Sequence, residues 1–224
     1  MAIDGPAGAG KSTTARLLAE RLGYALLDTG AIYRAMALRA RATGIAWDDG
    51  PGVASLADAL DLSFRLEGTL NRVFANGDEL TSLIRTPEIS DGASRVSALP
   101  EVRAALLELQ RRIGGAGGVV VEGRDIGTVV FPNAEAKFFL TATADERARR
   151  RVAELRAAGK PAEQETTRAE IIARDERDST RAAAPLRRAD DAVEIDSSAL
   201  GPDEVVSRMT AIVNARAGSD PAGA

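Results

Sequence analysis

Gly5-Pro6-Ala7-Gly8-Ala9-Gly10-Lys11-Ser12, close to the start of the chain, is the stretch that decides the fold. It fits Gly-x-x-x-x-Gly-Lys-[Ser/Thr], a turn whose backbone N–H groups cradle the phosphates of a nucleotide. Glycine at 5, 8 and 10 lets the backbone approach an anion that a Cβ would hold off. In this motif Lys11 reaches the β- and γ-phosphates and the Ser12 hydroxyl sits on Mg²⁺. A helix opening here aims its free amides and positive dipole end at the same anion. The alternative is a chance match in a Gly-rich turn. Context argues against it: Ala2-Ile3-Asp4 reads as a strand, and Thr13 to Leu22 as an amphipathic helix. That strand is short for its kind, so the natural chain is expected to start further upstream.

Composition narrows the chemistry. The 224 residues suffice for one sizeable α/β core with an insertion or lid. A net charge of −4 gives no global basic field for nucleic acid or membrane. Lysine occurs only at 11, 137 and 160, so the cations are nearly all arginine. Arginine suits bidentate phosphate binding, although compositional bias accounts for most individual positions. There is no cysteine and no histidine. Disulfides, thiolate chemistry, zinc sites and every Ser-His-Asp arrangement are thereby excluded. Carboxylates, hydroxyls, Lys, Arg, backbone amides and a bound Mg²⁺ remain, which suits phosphoryl transfer. No apolar run is long enough to span a bilayer and no signal peptide precedes the loop, so a soluble cytoplasmic protein is expected.

Working outward, Tyr24–Asp28 reads as a second strand, and Thr29-Gly30 as the cap of a helix from Ala31 to about Thr43. Strand–loop–helix–strand opens a parallel sheet. The texture then changes. Leu62–Glu67 alternates with period two, Leu70–Ala75 follows, and Asn76-Gly77 is a strong hairpin signal. Residues 61–82 are therefore expected to form a small antiparallel meander inside an insertion spanning about 48–114. Helices at about 87–98 and 100–113 complete the insertion. Gly118–Glu122 and Ala136–Leu140 read as buried strands, 144–181 as charged helix broken near Gly159-Lys160-Pro161, Ala192–Ile195 as a last strand and Pro202–Ala215 as a last helix. Residues 217–224 read as a disordered tail.

Ligands of such a sheet lie beyond the carboxyl ends of its strands. Asp4–Ser12, Asp28–Arg34 and Glu122–Asp125 fall there and should share one crevice. Glu122, ending an apolar strand, would order Mg²⁺ through water as a Walker-B acid does; otherwise it is a cap or a surface acid. Arg34 and Arg124 would flank a second anion, although either alone reads as a surface arginine. The arginines at 147, 149, 150, 151, 174, 177 and 181 form either a solvated face of i,i+4 pairs or a lid that closes over phosphates.

These motifs resemble the bacterial cytidylate kinases, of the P-loop nucleoside monophosphate kinase family, along nearly the whole chain. The resemblance rests on Ile3–Thr13, Leu27–Arg34, Ile84–Ile89, Glu122–Pro132 and Arg174–Arg181, of which the second and fourth together are the most specific. It implies a P-loop NTPase core at 1–47, 115–146 and 182–216 with a parallel five-stranded sheet. It also implies a nucleoside-monophosphate-binding insertion at 48–114 with a small antiparallel sheet, and an arginine-rich lid at about 147–181. The implied activity is Mg-assisted transfer of the γ-phosphoryl of ATP to CMP or dCMP by a monomer, without nucleic-acid polymer or membrane. Gly5, Pro6, Ala7, Gly8, Ala9, Gly10, Lys11, Ser12 and Thr13 would hold ATP. Thr29, Arg34 and Arg124 would hold the acceptor, Ser94, Arg103 and Asp125 would read its base, and Asp178 with Arg181 would approach sugar and phosphate. Tyr33 and Arg174 complete the acceptor set; Lys11, Arg124, Arg177 and Arg181 form the catalytic set. An ionised Asp125 would accept from the cytosine N4 amine, which uracil lacks. Thr29 departs from members that carry Ser there, adding a methyl near the sugar. The rivals are a P-loop kinase for another small acceptor and a nucleotide-controlled switch, although no Asn-Lys-x-Asp guanine motif is present.

Overall fold

A computed structural model describes residues 1–68 and 70–217. The sequence's expected tail lies almost wholly outside them; Ala217 itself ends the last helix. Five strands form a parallel sheet: β1 (Ala2–Asp4), β2 (Ala25–Asp28), β6 (Val119–Gly123), β7 (Lys137–Thr141) and β8 (Val193–Asp196), in the order β2-β6-β1-β7-β8. A parallel sheet is covered on both faces, which is why β6 and β7 read as near-continuous apolar runs. Successive residues feed opposite layers. Ala2, Leu27 and Val121 share one register level and enter the core beneath α2 (Thr29–Ala42), whereas Ile3, Leu26, Val120, Phe138 and Leu140 enter the core beneath α1 (Lys11–Leu22) and α8 (Pro202–Ala217). β1 is short yet central and wholly buried.

Between α2 and β6 run α3 (Gly50–Ala54), a second sheet and two longer helices, α4 (Pro87–Val96) and α5 (Pro100–Gly114). The second sheet pairs β3 (Leu62–Glu67), β4 (Leu70–Ala75) and β5 (Asp78–Glu79) antiparallel. Asn76 and Gly77 both take positive φ, 52° and 89°, as a two-residue I′ turn between β4 and β5 demands. Proline opens both α4 and α5, where a missing N–H costs nothing. Trp47 packs where a Cβ on Gly92 would lie, 2.6 Å away, and so brings α4 close to the segment after α2. The α3 turn has no counterpart in the sequence reading. Its Asp49 cap accepts from Gly52 N–H at 3.0 Å, a local feature with no hydrophobic period to announce it.

After β7 come α6 (Ala144–Ala157) and α7 (Gln164–Thr180), separated around Gly159. Thr143 caps α6 by accepting from Glu146 N–H at 3.3 Å. Among the described residues no helix is long and apolar enough to cross a membrane.

Gly5 is where the first loop leaves the sheet. Its φ is +146°, and a Cβ there would stand 1.9 Å from the Leu140 carbonyl oxygen of β7. No rotamer relieves a clash between Cβ and backbone, so the loop or the sheet must move. Gly5→Ala is expected to lower the melting temperature by about 10 °C or more. A melt followed by circular dichroism that superimposes on the wild type would contradict this packing.

Candidate active site

The carboxyl ends of β1, β2 and β6 open into a cleft of about 1030 Å³, at the top of the range for small-molecule sites. Ala7 to Thr14 form one wall. Gly10 takes the left-handed conformation, φ 92°, and α1 starts at the next residue, so its first amides face the cleft with no side-chain cap. Gly5 and Pro6 lie behind this wall, off the cleft surface. The Lys11 ammonium is buried and donates to the Pro6 carbonyl at 2.6 Å. Burial, together with the nearby Arg124 cation, pushes its pKa well below the usual lysine value, while Glu122 pulls it back.

Glu122 stands level with Asp28 on neighbouring strands. Its side chain accepts from Ser12 Oγ at 3.0 Å, and its backbone carbonyl accepts from Thr29 Oγ1 at 2.7 Å. Burial first, and the Asp28 charge second, push the Glu122 carboxyl up to about 7. A carboxyl that holds its proton more tightly in the folded state than in the unfolded chain stabilises the fold as pH falls through that interval. Stability is therefore expected to rise from about pH 7 toward about pH 4.5, and Glu122→Gln should flatten this slope. Melting temperatures measured between pH 5 and 8 check it; parallel profiles for the two proteins would contradict it.

Asp28, rather than Thr29-Gly30, caps α2: it accepts from Ala31 N–H at 3.0 Å and pairs with Arg34 at 2.6 Å. The helix accordingly begins at Thr29, two residues before the start read from the sequence. A carboxylate at this position satisfies a free amide and orients an arginine at once.

Asp4, at the start of the stretch expected at the crevice, is buried at the end of β1 and accepts from Ile126 N–H and Gly127 N–H, both at 2.8 Å. Burial raises it to about 6, while those two hydrogen bonds pull the other way. It anchors an unusually wide helical turn over Ile126–Val130, in which Phe131 N–H reaches back to the Ile126 carbonyl at 2.7 Å. Such turns recur at functional sites. This one presents Arg124 and Asp125 to the cleft.

Opposite the loop, cations crowd. Arg34, Arg103, Arg124, Arg174, Arg177 and Arg181 all line the cleft. Arg124 donates to Asp178 at 2.9 Å, and Arg177 pairs with Asp91 of α4 at 3.1 Å. Burial would raise the Asp178 carboxyl, but Arg124 and Arg174 outweigh it and hold it below the usual range. Arg174 is half-buried, and its Nε is shut from solvent without a partner. Burial and the neighbouring Arg124 lower its pKa to about 10. Asp125 accepts from Arg103 and, at 3.5 Å, from Arg181; both arginines also donate to the Ser97 carbonyl. The Arg103 guanidinium lies 5.6 Å from the centre of the Tyr33 ring, giving the cleft an aromatic floor.

Of the three residues expected to read the base, Ser94 alone is off the cleft lining; Gly5 and Pro6 of the loop and Arg147 of the arginine run are off it too. The buried Ser94 Oγ has no partner, and Ala93 and Ser97 line the wall beside it. The sequence singles out neither Asp91 nor Ser197, and it places Asp4 at the crevice without a role of its own. Only Asp4 had a signal, as an acid ending a strand directly ahead of the loop.

The family model described as cytidylate kinase matches residues 1–215. The chain is 54% identical over 216 residues to the cytidylate kinase of Geobacter sp. (strain M21), covering 96% of this chain and 93% of that protein. To the cytidylate kinase of Geobacter sulfurreducens it is 52% identical over 221 residues, covering 99% and 95%. To that of Citrifermentans bemidjiense it is 52% identical over 216 residues, covering 96% and 93%.

Proposed function

Because the chain belongs to the cytidylate kinase family, and is thus a phosphotransferase acting on nucleoside monophosphates, we propose that it transfers the γ-phosphoryl of ATP to CMP and dCMP. The observation that carries this reading is the cluster of Arg34, Arg124 and Arg174 across from the phosphate-binding loop. The carboxylates Asp28 and Asp178 answer only part of its charge, and the Arg174 Nε stays unpartnered. Partly desolvated like charges repel, and an incoming phosphate would relieve them. One cleft with two anion sites suits a donor and an acceptor meeting in line.

ATP would lie with its phosphates on Gly8 to Thr13, and Lys11 would turn from the Pro6 carbonyl to the β- and γ-oxygens. Arg34 and Arg124 would align the acceptor phosphate, one of whose oxygens attacks the γ-phosphorus as the bond to ADP breaks. Arg177 of α7 and Arg181 just after it would add cationic charge as the helix closes, and no strong general base is required. Asp125, fixed by Arg103 and Arg181, would accept from the cytosine amine, with Tyr33 beneath and Asp178 toward the sugar. In this reading residues 48–114 are the acceptor-binding insertion and about 147–181 the lid.

The donor set beside the loop fits Mg²⁺. Ser12 Oγ and Glu122 Oε2 are hard oxygens 3.0 Å apart. No group of three or more metal-ligating side chains occurs among the described residues, so the ion would be held largely by phosphate and water, Ser12 directly and Glu122 through water. Bound there, it would neutralise charge on the transferring phosphoryl group.

Incubation with ATP, CMP and Mg²⁺, followed by ³¹P NMR, is expected to show equal amounts of ADP and CDP. ADP together with inorganic phosphate, and no CDP, would contradict the proposal.

A further inference from the structure

Two carbonyls of the phosphate-binding loop accept from side chains outside it. Two of its peptide planes, Ala7–Gly8 and Ala9–Gly10, precede glycines with φ of 76° and 92°. A plane followed by glycine flips more easily than any other, because no Cβ blocks the inverted conformation. A planar trans peptide points its C=O and its N–H in opposite directions, so each flip would replace an inward amide with an inward carbonyl. A carbonyl facing phosphate repels what the amide attracts.

Both oxygens are held from outside. The Ala7 carbonyl accepts from Arg147 Nη1 at 3.1 Å. The Ala9 carbonyl accepts from Ser197 Oγ at 3.0 Å, with Arg150 Nη1 beyond at 3.5 Å. Both holders are buried and fixed in turn. Arg147 Nε donates to the Ala142 carbonyl at 2.9 Å, and its Nη1 pairs with Asp175 of α7 at 2.5 Å. Ser197 Oγ also lies 3.0 Å from the Thr141 carbonyl and accepts from Arg150 Nη1 at 3.1 Å. Among the described residues no protein acceptor takes the N–H of Gly8 or Gly10.

We propose that Arg147 and Ser197 are positioning residues of the phosphate-binding loop. They hold the Ala7 and Ala9 carbonyls outward so that the Gly8 and Gly10 amides face the bound phosphates. Through Asp175, Arg147 also ties the loop's geometry to α7. The inference rests on the reading above, in which the loop takes ATP.

Calorimetric titration of the wild type and of Ser197→Ala, Ser197→Thr, Arg147→Lys and Asp175→Asn, each with β,γ-imido-ATP and separately with CMP, tests it. Losing one such hydrogen bond predicts about 5- to 10-fold weaker binding of the ATP analogue by Ser197→Ala. At least as much is expected for Arg147→Lys, whose compact ammonium cannot reach both the acceptor at Nε and those at Nη1, and about 2- to 3-fold for Asp175→Asn. CMP affinity should stay within about twofold, and Ser197→Thr should restore the analogue. In turnover, the KM for ATP should rise and that for CMP should not. Analogue affinity unchanged in Ser197→Ala and Arg147→Lys would overturn the proposal, as would an equal loss of CMP affinity. Should Arg147→Lys fail to fold, Ser197→Ala, which removes one hydroxyl, decides alone. A wild type that binds CMP but not the analogue would refute the ATP reading, and the inference with it.

Discussion

Arg124→Ala is expected to lower kcat by about a thousandfold or more while leaving the protein folded. Arg124 is expected to stabilise charge on the phosphoryl group in flight, where an aimed cation in a water-poor cleft acts most strongly. In the fold itself it is more burden than support. Its charge lowers the pKa values of both Lys11 and Arg174, so removing it relieves repulsion. Asp178 loses its 2.9 Å partner but keeps Arg174 and Arg181 nearby. The same separation of activity from stability holds for Lys11→Ala, since the lysine is a buried cation pressed toward neutrality. Steady-state kinetics beside a thermal melt check both, and near-normal turnover in either purified variant would contradict the assignment.

The second large effect concerns the base. Asp125→Asn is expected to cut kcat/KM for CMP by about 100-fold or more and to bring the CMP and UMP values close together. The carboxylate only accepts, which matches the cytosine amine. Asparagine adds a donor that the uracil oxygen can use. Asparagine is the informative substitution because it keeps an oxygen that Arg103 and Arg181 can donate to, whereas alanine leaves both without an acceptor there. Both substitutions remove the anion, and breaking a buried ion pair from one side costs about 3–5 kcal/mol, so a thermal melt of Asp125→Asn accompanies the kinetics. Preserved discrimination between CMP and UMP in Asp125→Asn would exclude Asp125 as the base reader.

How much of this was legible in the sequence depended on how local each cause was. The glycines and Lys11 of the first loop, the apolar run of β6 and the Asn76-Gly77 turn announce themselves within a few residues. The elements built from them lie where the periodicities place them, within a few residues at each end. Asp28 was visible as the end of a strand but not as the cap of α2, because the adjacent Thr29 is also a capping type. Hidden features depend on partners distant in the chain. Asp4 holds amides 122 and 123 residues away, and Ser197 holds the Ala9 carbonyl across 188 residues. No spacing rule encodes such pairs. The arginine-dense stretch shows the same limit. Arg149 pairs with Glu146 on its own helix face, whereas Arg147 of the same run turns into the loop. One sequence offers nothing to separate them.

The central claim is acceptor choice in a cleft with two anion sites. A coupled assay of ADP release with ATP and Mg²⁺, run with CMP, dCMP, UMP, AMP and GMP in turn, tests it most directly. Strong turnover is expected with CMP and dCMP and little with the other three. Comparable turnover with AMP or GMP, or none with CMP from a protein that binds ATP, would contradict it.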